Sequence, residues 1–283
     1  MFPLEPPFQL VTSQIAQIAE SPEATPEERR DQLDLIIVVV YLISVVYVLY
    51  QAYFSIQERT VFDYDKEFYK QQLKKKVFGE TQLEDIVDID FKFEKYYLLT
   101  EDGQPKDLGI TIKNKSKGVA DDPDNPIDHV SILVDWDSSS VTDYEERSRR
   151  VIRLTPDKRM EDLSQTQVFS MVPPGKTQKE KITAEDVLGF DKDKDTLEPK
   201  KPIIDIEQLK KSADNPKTPK KVKDMYADFA NEKKPLQFSL RLWIGLVTIA
   251  NGERKEYWQS LRFNFTVAKL PRKNQFPWNP NKK

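Results

Sequence analysis

A single histidine, His129, stands beside Asp128 in a chain that contains no cysteine. A metal centre built on two or three imidazoles is therefore excluded, as are thiolate zinc sites, disulfides and thiol catalysis. A Ser-His-Asp triad would have to use His129, which opens a strand pattern where a surface or capping role suits it. Two acidic clusters have spacings that invite comparison with cation loops. Asp191, Asp193 and Asp195 repeat like the first half of an EF-hand loop, but Thr196 and Pro202 stand where glycine and glutamate are required, and Lys192 and Lys194 repel a cation. Asp121, Asp122, Asp124, Asn125 and Asp128 form a second acidic loop without opposing charge, while Pro123 and Pro126 suit an ordinary loop equally well. Gly175-Lys176-Thr177 echoes a phosphate loop, yet Ser170 replaces the first glycine of that motif and Pro173-Pro174-Gly175 reads as a turn. The expectation is a chain with no catalytic residues, no cofactor and no resident metal. A hydrolase working through paired carboxylates is the remotest reading, because nothing in the carboxylate spacing argues for it.

The elements around these residues carry more information. Leu35 to Gln57 is an uncharged run of roughly 23 residues, which at 1.5 Å per residue reaches about 35 Å, enough for a hydrocarbon core of about 30 Å. It predicts a single transmembrane helix, assigned to residues 31–57, behind an acidic, proline-rich tail at 1–30. The run is too long and too far from the start for a cleaved signal peptide. Thr25, Pro26 and Glu28 supply an N-cap, a first-turn proline and a capping-box acid, so the helix is expected to begin near Pro26. Arg29 and Arg30 precede the run, whereas Arg59, Lys66, Lys70, Lys74, Lys75 and Lys76 come after it, which places the C-terminal domain on the cytoplasmic side. The plasma membrane and an internal membrane such as the thylakoid are not distinguished. Within the run, Ser44, Tyr47 and Tyr50 share a polarisable face suited to another helix, and an interfacial aromatic belt explains Tyr50 as well.

After the run, Phe62, Tyr69, Leu73 and Val77 recur at helical spacing up to Gly79, so residues 58–86 read as a juxtamembrane amphipathic helix or linker. From Val87 the period changes to two. Val87, Ile89, Phe91 and Phe93 alternate with charged residues, and further strands are expected at Leu108 to Lys113, Val130 to Trp136, Arg150 to Leu154 and Gln167 to Val172. Leu236, Phe238, Leu240 and Leu242 alternate in one long strand and Leu261, Phe263, Phe265 and Val267 in another, with Asn251-Gly252 between them as a hairpin turn. Residues 87–269 thus predict a mainly β domain, an antiparallel immunoglobulin-like β-sandwich with Trp136 and Trp243 as core candidates, although the Cys…Trp…Cys signature is missing. A charged helical insertion is expected at about 177–234, with one helix over Ile203 to Lys211 and another presenting Val222, Met225, Tyr226 and Phe229 on one face.

Charged residues make up 32% of the 283-residue chain, but the net charge is only −3, so no basic field recruits nucleic acid. The sequons at Asn114 and Asn264 matter only in a secretory lumen. The tail at 270–283 combines Arg272, Lys273, Lys282 and Lys283 with Phe276 and Trp278 and no acid, a composition that docks on an anionic membrane surface or in a partner groove. The leading expectation is a single-pass, membrane-anchored, non-enzymatic interaction or assembly module, with the lipid bilayer and a membrane or membrane-associated protein as partners. The alternative is an extracytoplasmic domain binding a glycan, or a metal through the 121–128 loop.

Overall fold

The computed structural model describes residues 26–55, 58–117, 129–156, 159–250 and 253–271. The tail at 1–25, the acidic loop at 121–128, the Asn251-Gly252 turn and Arg272, Lys273, Phe276 and Trp278 lie outside the described residues. The chain divides into two units, Met1–Gln57 and Glu58–Lys283.

Among the described residues the first unit contains one helix, α1 (Pro26–Ser55). Most of its described apolar side chains are exposed, with Leu35, Tyr41 and Val46 each about two thirds accessible, whereas Ile36, Val40 and Val45 are partly buried. Among the described residues, no helix is long and apolar enough to cross a membrane.

The second unit is mainly β. Its core element is a ten-stranded antiparallel sheet that curls over on itself. Strands β1 (Arg59–Tyr64), β4 (Val87–Lys92), β5 (Tyr97–Leu98), β6 (Leu108–Asn114), β7 (Ser131–Thr142), β8 (Ser148–Arg153), β9 (Ser170–Val172), β10 (Thr177–Ala184), β13 (Leu236–Ala250) and β14 (Glu253–Lys269) form it. Their order is β4-β6-β10-β8-β7-β13-β14-β1-β5, with β9 also paired to β7. Where a two-layer sandwich is expected, the strands form one curled antiparallel sheet with two arms, and β8 pairs with both β10 and β7 between them. Between Asp135 and Ser140, β7 carries extra residues that β13 skips, a bulge that increases the local twist. The Ser139 hydroxyl accepts from Trp243 N at 3.0 Å and holds that bulge in place.

The arms close through aromatic side chains. Phe91 on β4 meets Phe263 and Phe265 on β14 edge-on, at centroid separations of 4.9 and 5.0 Å. Trp136 is fully buried and its indole N–H donates to Ser170 Oγ at 2.9 Å, as a buried indole requires. Trp243, expected in the core, is instead half-buried on the outer face, because Leu242 and Ile244 take the inward positions of β13.

Two segments differ from the sequence-based expectation. Residues 59–64 form β1 rather than the start of a helix, because Thr60, Phe62 and Tyr64 alternate inward and β1 pairs with β14 from Thr60↔Lys269 to Tyr64↔Phe265. The helix there is short, α2 (Lys66–Leu73), capped by Asp65, whose carboxylate accepts from Phe68 N. It leads into the hairpin of β2 (Lys76–Phe78) and β3 (Thr81–Gln82) and the single turn α3 (Leu83–Ile86). The second difference is β10, which lies inside the expected insertion yet pairs with β6 on one side and β8 on the other. After β10 the chain forms the hairpin of β11 (Leu188–Asp191) and β12 (Thr196–Pro199), then α4 (Ile206–Asp214) and α5 (Lys220–Ala230). Phe229 of α5 is buried, and Val222, Met225 and Tyr226 pack beside it against the core.

Candidate docking surface

Alternation along β13 and β14 sends Phe238, Leu240, Leu242, Phe263 and Phe265 into the core and the residues between them to the outer face of the sheet. On that face the register aligns Met171 of β9 with Leu133 of β7, Leu133 with Gly245 of β13, and Gly245 with Trp258 of β14. Gly245 has no side chain, so the Trp258 ring lies down over it: a Cβ built there would sit 2.8 Å from the indole Cη2 and Cζ2 atoms. Phe169, just before β9, meets this indole with a centroid separation of 5.9 Å. Val168 and Met171 are more than half exposed, and Phe169 and Trp258 remain substantially so. The result is an apolar and aromatic ledge across four strands on solvent-facing sheet.

The ledge has a polar continuation. Toward the other end of β13 and β14 the outer face carries Gln237 opposite Thr266 and Ser239 opposite Asn264, with Thr142 of β7 beside Ser239. These residues floor a groove of about 490 Å³. Asp65 at the start of α2 and the β7–β8 turn with Tyr144 and Glu146 also line it. The turn is fixed by Asp143, whose buried carboxylate accepts from Glu145 N, Arg147 N and Arg147 Nε. The α2 wall is fixed by Gln72, whose amide bonds both N and O of Arg262, and by Asp65 N donating to Asn264 O at 2.9 Å. Exposed aromatic residues and Met beside hydrogen-bonding side chains are residue types enriched at protein interfaces.

The residues singled out by sequence do not converge. His129 is exposed just before β7. Gly175 adopts φ +67° in the turn from Pro173 to Lys176, where Lys176 N donates to Pro173 O at 3.1 Å, so Gly-Lys-Thr belongs to a reverse turn. Asp191 and Asp195 bracket the β11–β12 turn, and nearby lysines pair locally, Lys194 with Glu198 and Lys200 with Asp191. Among the described residues, no group of three or more His, Asp or Glu side chains is placed to hold a metal ion. Asn114 is buried, its amide donating to Val130 O and Val172 O, which makes it an internal clamp. In α1 the Ser44 hydroxyl donates to Val40 O at 2.8 Å, while Tyr47 and Tyr50 are more than half exposed.

The ionisable groups with displaced pKa values are framework groups. Burial pushes the Tyr64 and Tyr69 phenols up, and Tyr144 to about 12. Burial alone would raise the Asp137 carboxyl, but hydrogen bonds from Arg150 and Gln167 outweigh it and hold the group below the usual carboxylate range. Each of these groups ties separate segments of the domain together.

The ledge is hard to find from sequence because Trp258 and Gly245 fall on the polar phase of strands judged by their apolar phase. Gly245 inside a long strand is the available signal, since such a glycine marks a close approach. No protein-family model matches the chain, and no curated protein or solved structure gives a match.

Proposed function

We propose that the chain is a single-pass, membrane-anchored, non-enzymatic docking module. Helix α1 with the uncharged run through Gln57 acts as the anchor, and the β domain presents the outer face of β7, β13 and β14 to a membrane or membrane-associated protein. The observation that carries the docking reading is the Phe169–Trp258 ledge, exposed and held flat by Gly245. Solvent-facing aromatic rings with locked orientation lose little conformational entropy on binding, which is what makes such residues effective anchors. The anchor reading rests on the uncharged run and on the many large apolar side chains of α1 that are exposed, Leu35, Leu42, Val46 and Leu49 among them. The excess of Lys and Arg after the run supports a cytoplasmic domain. The basic aromatic tail with Arg272, Lys273, Phe276 and Trp278 supplies a second contact in this reading, and Ser44, Tyr47 and Tyr50 a helix contact.

The architecture we infer is immunoglobulin-like of the constant type. The arm order β4-β6-β10-β8 corresponds to strands ABED and the order β7-β13-β14 to CFG, with the buried Trp136 on the strand equivalent to C. Strand β1 extends the second arm beyond β14.

A photo-crosslinking residue placed at Phe169 of the full chain in its own membrane tests the docking reading, with Lys179 on the exposed face of β10 as the control. A discrete protein adduct from Phe169, absent from Lys179 and lost with Trp258→Ala, is the expected result. No adduct, or the same adducts from both positions, overturns it.

A further inference from the structure

Between the ledge and the polar groove, Arg241 of β13 and Arg262 of β14 stand directly opposite one another. Both are exposed. Among the described residues neither guanidinium has a hydrogen-bond or ion-pair partner. Like charges placed directly opposite on one sheet face repel. The backbone under the pair is held in place: Gln72 bonds both N and O of Arg262, and Arg241 pairs with Ser140 of β7. Two planar, always-charged forks side by side match carboxylates that bind in the bidentate manner.

We propose that this arginine pair receives the carboxylate of an acidic segment of a partner protein, whose neighbouring apolar side chain settles on Trp258 and Phe169. The proposal rests on the docking reading above and adds the chemistry of the partner. Arg262 and Trp258 lie on the same face of β14, about 13 Å apart at roughly 3.3 Å per residue. An extended segment that uses both therefore carries its acid and its large apolar residue about four positions apart. Charge complementarity selects the acid, and the surroundings select a protein rather than a polyanion. The groove beside Arg262 is walled by Asp65 and Glu146, which repel the continuous negative charge of nucleic acid or of an anionic lipid plane but leave room for a single carboxylate. Asp135, the acid nearest the ledge on β7, accepts from the Ser138 hydroxyl and from Asp137 N and Ser138 N, and forms no ion pair with either arginine.

The test is selection of a random peptide library on the full chain in detergent micelles, with titration of the enriched peptide against the wild type and the Arg241→Gln/Arg262→Gln variant. The expected result is enrichment of Asp or Glu about four residues from Leu, Phe or Trp, and at least tenfold weaker binding by the variant. Arg241→Lys/Arg262→Lys keeps the charge, loses the fork and is expected to bind with intermediate affinity. Melting curves of each variant separate lost binding from lost fold, and a glutamine variant melting at or above wild type is the expected control. Enrichment of uncharged peptides, or binding by the glutamine variant within twofold of wild type, overturns the proposal. Binding of phosphatidylserine vesicles that competes with the peptide and is lost in the variant also overturns it, assigning the pair to a lipid surface. If Phe169 crosslinks a protein and the adduct is unaffected by Arg241→Gln/Arg262→Gln, the docking reading stands and the acidic-segment inference falls.

Discussion

The Tyr64 hydroxyl donates to Asp90 Oδ1 at 2.7 Å, and in doing so ties β1, near one end of the strand order, to β4 at the other. The neighbouring Tyr69 hydroxyl accepts from Ile89 N at 2.7 Å, so an edge amide of β4 is occupied by a side chain of α2. An edge strand covered in this way is withheld from pairing with another chain. The two tyrosines close the curl of the sheet. Tyr64→Phe keeps the ring contacts with Phe91 and Phe263 and removes only the hydrogen bond. The denaturant midpoint should fall by the equivalent of about 0.5–1.5 kcal/mol with an unchanged slope. An unchanged midpoint would show that the bond contributes nothing to closure.

Burial raises the folded-state pKa of Tyr64, Tyr69 and Tyr144, the last to about 12. The neutral phenol is the form the fold accommodates, so this stability is complete below the unfolded value of about 10 and is lost as pH rises from there through the folded values. Thermal melts should be insensitive to these groups near neutrality and fall steeply above about pH 10. Tyr144→Phe should flatten the alkaline limb.

Asp137 titrates with the opposite sign. Its lowered folded-state pKa contributes stability that is present above the unfolded value of about 3.9 and is lost as pH falls through the folded value. Asp137 accepts from Gln167 N at 2.8 Å and from the Arg150 guanidinium, joining β7 and β8 to the segment before β9. Asp137→Asn should cost about 1–3 kcal/mol at neutral pH. The gap between wild type and variant should narrow in acid, as read from urea titrations at several pH values.

Gly245 is where the ledge depends on a missing side chain. In Gly245→Ala the new methyl occupies the place of the indole carbons. The Trp258 ring must tilt away from the sheet, at a cost of about 1–3 kcal/mol. The variant should fold, show altered tryptophan fluorescence, and lose the Phe169 adduct. Retention of the adduct would show that the flat indole is not needed for docking.

The facing Arg241 and Arg262 make a stability prediction of their own. Replacing either with Thr removes a like-charge pair and should raise stability by about 0.2–1 kcal/mol, an effect that shrinks as salt is added. A loss of stability instead would mean that the guanidinium stems contribute packing that outweighs the repulsion.

Sequence period explains what is legible. The β13–β14 register from Leu236↔Val267 to Ala250↔Glu253 accords with the alternation of Leu and Phe, and Trp136 belongs to the core as its apolar neighbours imply. Residues 59–64 are obscured because Phe62, seven positions before Tyr69, fits a helix as well as a strand. Tertiary pairing with β14 decides the matter. β10 is hidden by its charge: Lys179 and Lys181 face solvent, and only Ile182, Thr183 and Ala184 are fully buried. The Phe169–Trp258 ledge is the least legible, since its residues come from separated segments and meet only through register.

Topology is the first measurement to make on the proposal that α1 anchors the β domain at the cytoplasmic face. Because the chain has no cysteine, a single cysteine at Lys117 and another at Asn251 report accessibility without background. Intact cells are labelled with an impermeant maleimide, and the chain is then tracked through alkaline carbonate extraction. Retention in the membrane pellet and labelling of both positions only after lysis are the expected results. Release by carbonate would contradict the anchor, and labelling before lysis would place the domain outside the cytoplasm, where the glycan- or metal-binding alternative applies.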